Sequence, residues 1–171
     1  MMPLELNIEK IEQIKKIKEK ENLKFRTFLK GQDNKKVDII VHRLNEEIKS
    51  QIDCTKCGNC CKTLRPCVTN KEVETLTIID KVSRENFIEN FTKQDDLESI
   101  KYLKNTPCKY LSNKKCSIYD LRPMDCKSYP HIHKKHFNSR TLDIMENYGI
   151  CPIVFNVIES LKMEFEFRQF F

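Results

Sequence analysis

The chain has 171 residues, 39% hydrophobic and 33% charged, with 31 Lys and Arg against 25 Asp and Glu and a formal net charge of +6. That length suits one domain with a helical extension and a lean core, the kind that gains stability from a disulfide or metal staple. Its three glycines, Gly31, Gly58 and Gly149, are isolated, which excludes a GxGxxG dinucleotide loop and a P-loop.

Residues 4 to 30 read as a helix. Ile8, Ile11, Ile14 and Ile17 recur at every third position, with Leu4 and Leu6 before them and Phe25 and Phe28 after. Gly31 stops it, and Asp33 caps a second helix with a stripe of Val37, Ile40, Val41, Leu44 and Ile48. His42 lies beside that stripe as an ordinary helix residue. Residues 1 to 50 are therefore expected to be a helical extension, and 51 to 171 a cysteine-cluster domain. CTKCGNCC reads as a loop, because Gly58 and Asn59 are turn residues. Thr69 and Glu72 form a capping box for a helix carrying Val73, Leu76 and Ile79. Ser83 caps another, with Phe87 and Phe91 facing inward. Residues 92 to 106 are polar and read as irregular. CKYL and KCSIY read as two short strands around Ser112-Asn113. Pro123 opens a turn before Cys126. The last helix starts with Pro152 at its first position and Cys151 at its N-cap, where free N–H groups favour a thiolate. The terminal MEFEFRQFF reads as a strand or a helix end packing its phenylalanines. The expected fold is mainly α: a small helical bundle with cysteine-rich metal-binding loops on one side and one short β-hairpin.

The N-terminus, MMPLELNIEKIEQIKKIK, is charged and amphipathic and lacks an apolar signal-peptide core. No segment approaches the roughly 20 apolar residues of a membrane span. The expected location is the cytoplasm, where thiols stay reduced and nine cysteines point to metal ligation. Basic residues interleaved with acidic ones, as in EKIEQIKKIKEKENLK, imply a solvated helix face and not a nucleic-acid patch.

Eight of the nine cysteines form one ordered framework. Cys54, Cys57, Cys60 and Cys61 fall within CTKCGNCC; Cys108 and Cys116 bracket PCKYLSNKKC; Cys126 follows in LRPMDCKSYP; Cys151 closes it in GICP. Thiolates select zinc, iron–sulfur clusters and Cu(I). The CxxCxxC spacing and the remote Cys151-Pro152 suggest iron–sulfur; the knuckle-like CKYL…KCSIY unit suggests zinc. The balance leans to iron–sulfur for the first three cysteines. Adjacent Cys60 and Cys61 are expected to point apart. A radical S-adenosylmethionine motif is missing, since the position that would complete CxxxCxxC is Leu64. Cys67 is read as a bystander, which leaves eight cysteines, the number two four-thiolate sites require.

These motifs, in this order, resemble the CxxCxxCC cysteine-cluster family (YkgJ-like), a zinc- or iron-chelating domain, over roughly residues 54 to 152. Tyr110, Lys127 and Tyr129 depart from its usual Phe, Arg and Phe. The resemblance implies metal ligation by Cys54, Cys57, Cys60, Cys61, Cys108, Cys116, Cys126 and Cys151. A more distant resemblance, to flagellin lysine N-methylase, implies iron–sulfur-linked methyl transfer to protein lysines.

Arg122 is read as pairing with Asp120 or Asp125 to fix its loop, in preference to neutralising thiolate charge. Tyr119 and Tyr129 are read as packing over the site. His131, His133 and His136, in HIHKKH, are read as an exposed, lysine-bracketed loop and not as ligands, because the thiolates suffice. No catalytic residue is assigned. Three functions follow: a zinc or iron–sulfur binding protein, a protein lysine methyltransferase, or a zinc-scaffolded module for protein or RNA. The expected partners are a metal ion and an unnamed protein, without membrane or nucleic acid.

Overall fold

A computed structural model describes residues 3–95 and 100–167. The helices among them run α1 Ile8–Ile17, α2 Glu19–Lys30, α3 Asn34–Lys49, α4 Cys54–Cys57, α5 Cys60–Thr63, α6 Asn70–Asp80, α7 Arg84–Phe91, α8 Met124–Ser128, α9 Thr141–Asn147 and α10 Pro152–Glu164. Strands β1 Thr92–Gln94 and β2 Lys101–Leu103 pair antiparallel, as do β3 Leu111–Ser112 and β4 Lys115–Cys116. The protein is mainly α, as its patterning implies. None of the described helices is long and apolar enough to cross a membrane.

The chain divides into two compact units: residues 1–53 with 130–171, and residues 54–129. The segment from Pro130 onward groups with the N-terminal helices.

The first unit is built around α10. Ten of its thirteen residues are buried, as expected of a helix that is apolar nearly all round. It lies against α3, which presents Val37, Val41, Leu44 and Ile48, all buried. Asp33 caps α3 as anticipated, accepting the Lys36 amide at 2.8 Å. The single helix expected over 4–30 is two. It begins after Asn7, whose side chain caps α1, because Glu5 is held extended by the Asn156 amide through bonds of 3.0 and 2.9 Å. It also breaks at Lys18 (φ −93°, ψ 13°), for which no local residue signal exists. Beyond α10, the Phe165 and Phe167 rings pack on Phe25 and Phe28. That is the helix-end alternative for the tail; residues 168–171 lie outside the described set.

The second unit has a small core of Val68, Val73, Leu76, Phe87, Leu103 and Tyr110. The Thr69–Glu72 capping box and the Ser83 cap form as read. Residues 92 to 106, taken as irregular, instead supply β1 and β2, with Thr92 opposite Leu103 and Gln94 opposite Lys101. Three-residue polar strands carry too little alternation to be seen locally. They form because β2 is held on its other side too: Val68 N–H donates to Lys101 O at 2.8 Å and Leu103 N–H to Pro66 O at 3.0 Å. The β3–β4 hairpin forms, with its turn one residue later than read, at Asn113-Lys114. Both residues have positive φ (48° and 65°), the pattern of the tight turn that matches strand twist.

Candidate metal centre

Each cysteine-bearing segment has its own local reason for its shape. The CTKCGNCC segment is not an open loop: it makes two helical turns, α4 and α5, joined by Gly58 and Asn59. Gly58 has φ +61°, and a Cβ there would stand 2.5 Å from the Lys114 carbonyl oxygen. The backbone of the first cysteine segment thus lies directly on the hairpin turn that precedes Cys116. Gly58→Ala is expected to cost roughly 2–3 kcal/mol, from left-handed strain plus this clash, read as a lower urea midpoint at unchanged slope.

A second link runs from α5 to the hairpin: Cys108 N–H donates to Cys61 O at 2.8 Å. The hairpin closes on itself through Ser117 N–H to Tyr110 O at 2.8 Å and Leu111 N–H to Cys108 O at 2.9 Å. Within it, the Cys108 sulfur accepts the Tyr110 amide, and the Cys116 sulfur accepts the Ile118 amide. Two sulfurs that each accept an N–H from two residues ahead are positioned as in a metal knuckle, and the amide partly offsets the cost that burial puts on each thiolate. Tyr110 is itself buried, with its hydroxyl donating to Asp80 at 2.9 Å.

Cys126, on α8, is braced through Glu72. One Glu72 oxygen closes the capping box; the other accepts the Met124 amide at 2.6 Å. Burial pushes the Glu72 carboxyl up, but the Met124 and Thr69 donors outweigh it and hold the carboxyl below its ordinary range. Asp125 accepts the Cys67 amide at 2.9 Å. Glu72 and Asp125 are thus site-building residues. The capping box made Glu72 visible as a cap, but nothing local indicated its second partner, 52 residues away.

Four sulfurs share one electrostatic neighbourhood. Charge on Cys61 is felt by Cys108, Cys116 and Cys126, and Cys126 also feels Cys108 and Cys116. The Cys61 thiol is lowered to about 7, chiefly by its contact with Cys60 and also by the Arg122 guanidinium, against burial. Burial raises Cys108 and Cys116, and it pushes Cys126 up to about 12, helped by the neighbouring sulfurs and Asp125. Cys61 is therefore the thiol of the set that ionises near neutral pH, ahead of its three partners.

The Cys60 and Cys61 sulfurs lie 4.0 Å apart and do not diverge as expected. Their segment is a short helical turn, and both thiols are half-buried. Arg122 donates to the Tyr119 carbonyl and lies 3.6 Å from the centre of its ring. Its charge acts to lower the pKa of both Cys61 and Cys116. The thiolate-facing role, set aside in the sequence reading, is the one its field supports. Tyr119 is 40% exposed and sits under Arg122, while Tyr129 is half-buried.

Of the remaining expected ligands, Cys54 is exposed at the start of α4 and Cys57 is half-buried at its end. Cys151 caps α10 in the first unit, 6% exposed, while the other seven belong to the second unit. Cys67 is exposed and forms an isolated bridge with Tyr102. His131, His133 and His136 also lie in the first unit. Among the described residues, no three Cys, His, Asp or Glu side chains are gathered closely enough to hold a metal ion. The donor set nevertheless fits a soft or borderline cation: one thiol that ionises near neutrality and three more within its field, two of them already accepting N–H groups.

No curated protein and no solved structure matches the chain. Residues 53–148 match the family model CxxCxxCC, described as "Putative zinc- or iron-chelating domain". The match takes in every cysteine of the second unit and ends short of Cys151. With more than half of its length matched, over the segment that builds the coupled thiols, the chain belongs to the CxxCxxCC family of metal-chelating cysteine-cluster domains.

Proposed function

We propose that the protein binds one zinc or iron ion through Cys61, Cys108, Cys116 and Cys126. The observation that carries this reading is that Cys108, Cys116 and Cys126 all lie in the field of Cys61, with Cys108 and Cys116 each accepting an amide from two residues ahead. Held by these four residues, the ion would cross-link three segments separated in sequence. Cys61 offers the first thiolate, and Arg122 offsets the negative charge that accumulates as the others ionise. Cys54, Cys57 and Cys60 form a reserve of thiols beside this site and are the ligands for any second metal equivalent. A reducing compartment such as the cytoplasm keeps all of them competent.

The protein purified without oxygen and without a metal-binding tag is expected to carry one equivalent of metal per chain. Elemental analysis and the visible spectrum separate the choices: zinc leaves the protein colourless, whereas iron bound by thiolates absorbs in the visible. Absence of stoichiometric metal, from protein that also fails to take up zinc or ferrous iron, refutes the reading.

The same arrangement sets a proton count. Because Cys108, Cys116 and Cys126 hold their protons at neutral pH and Cys61 is partly ionised there, loading zinc is expected to release about three to four protons per ion. Affinity then falls as pH drops, most steeply below about 7, where Cys61 also protonates. Calorimetric titration of the metal-free, reduced protein in buffers of different ionisation heat measures that number.

A further inference from the structure

The first unit presents a second concentration of chemistry, which begins five residues after Cys126. We propose that residues 131–136, with the adjoining part of α3, bind the phosphate backbone of a single-stranded nucleic acid. The segment is His-Ile-His-Lys-Lys-His. Ile132 and the following Phe137 are fully buried and anchor it, while His133, Lys134, Lys135 and His136 are exposed.

Its backbone is tied down from three sides. The Arg140 guanidinium is spent on the carbonyls of His131 (2.9 Å), Lys135 (3.3 Å) and Lys134. Asp38 on α3 accepts the His136 and Phe137 amides at 2.8 and 2.9 Å. His42 Nε2 lies 3.4 Å from the Lys134 carbonyl oxygen. These contacts hold His131 and His136 at φ 62° and 60°, a backbone state that side chains other than glycine rarely adopt. Such strain persists only where the surroundings over-determine it, and it is often kept for function.

The tip is one-signed. Burial first, and then the positive field of His131, Lys49, Lys134 and Arg140, make the His133 imidazole harder to protonate. The acids that act on Arg140 lie at the base: Asp38, committed to two amides, and Asp143 on α9. This differs from the N-terminal helices, where acidic residues alternate with the lysines. The partner follows from what the tip lacks. Its apolar members are buried, so it offers no anchor for a lipid surface and no hot spot for a protein. Phosphate contacts require only charge and donors, and imidazoles can stack on unpaired bases.

The test uses the full, metal-loaded protein and a fluorescein-labelled oligouridylate of about 15 nucleotides, enough to span a single binding groove. Contact with three or four phosphates predicts a log–log salt slope of about −2 to −3, a loss of roughly 20- to 60-fold between 50 and 200 mM salt. Lys134→Glu with Lys135→Glu is expected to weaken binding at least ~10-fold. Lys20→Glu with Lys24→Glu makes the same change in net charge on exposed positions of α2 and should shift binding by less than ~2-fold. Equal losses in the two double variants would overturn the proposal. So would an absent salt dependence, or capture by phosphatidylserine vesicles without oligonucleotide binding.

Discussion

Cys126→Ser is expected to lower the melting temperature of the metal-loaded protein by about 10 °C or more. The residue is the most strongly shifted of the four coupled thiols, with its pKa pushed up to about 12 by burial and neighbouring sulfurs. At the proposed site a metal ion would replace that proton and join α8 to the hairpin and to α5, closing loops that otherwise cost entropy. Loss of about 4 kcal/mol translates to this shift for a chain of this size, since each kcal/mol moves the midpoint by about 2–4 °C. Chelation of the wild type under reducing conditions should reproduce the low midpoint, and chelator should move the variant little further. Cys67→Ser is the control. Its side chain is exposed, and its contact with Asp125 is made by the backbone amide, so a change within about 0.5 kcal/mol is expected. Equal damage from the two substitutions would place Cys67 among the ligands.

Lys162→Met should be the most destabilising single change in the first unit, by about 3–5 kcal/mol, because it strips a buried ion network of its central cation. The Lys162 ammonium is almost fully buried and meets Glu21 and Asn22 at 2.6 Å and Glu159 at 2.8 Å. Glu159 also accepts the Tyr148 hydroxyl at 2.9 Å and pairs with Lys18. The network thus ties α10 to α2 and to the residue following α9. Adding Glu159→Gln to Lys162→Met should restore part of the loss, since it removes the carboxylate left uncompensated. The network also sets an acid dependence. Burial raises the Glu159 carboxyl, but Lys162 and Lys18 outweigh it and bring it below its ordinary value. Its stabilising contribution is therefore complete above the unfolded-state value, about 4.3, and disappears as pH falls through the lower folded value. Denaturant midpoints between neutral pH and about pH 3 should fall less in Glu159→Gln than in the wild type.

Much of this protein is legible one residue at a time. The caps at Asp33, Thr69 and Ser83, the Pro152 start of α10 and the stripe on α3 each act within a few positions of themselves, so local pattern suffices. The family, too, is carried by spacings within short segments, and the motifs alone pointed to a cysteine-cluster, metal-chelating chain. Tertiary structure decided what depends on partners distant in sequence. Strands β1 and β2 exist because β2 is bonded on both edges, and the helix start slipped to Asn7 because Asn156 holds Glu5. Which sulfurs come within the field of Cys61 was decided by Gly58 resting on Lys114 and by the hydrogen bond from the Cys108 amide to the Cys61 carbonyl. The spacing CxxCxxCC gave the first three cysteines equal standing with Cys61. Spacing records only how far apart residues are along the chain, whereas the coupling of thiols depends on where the backbone between them turns and on how much water is removed around each sulfur.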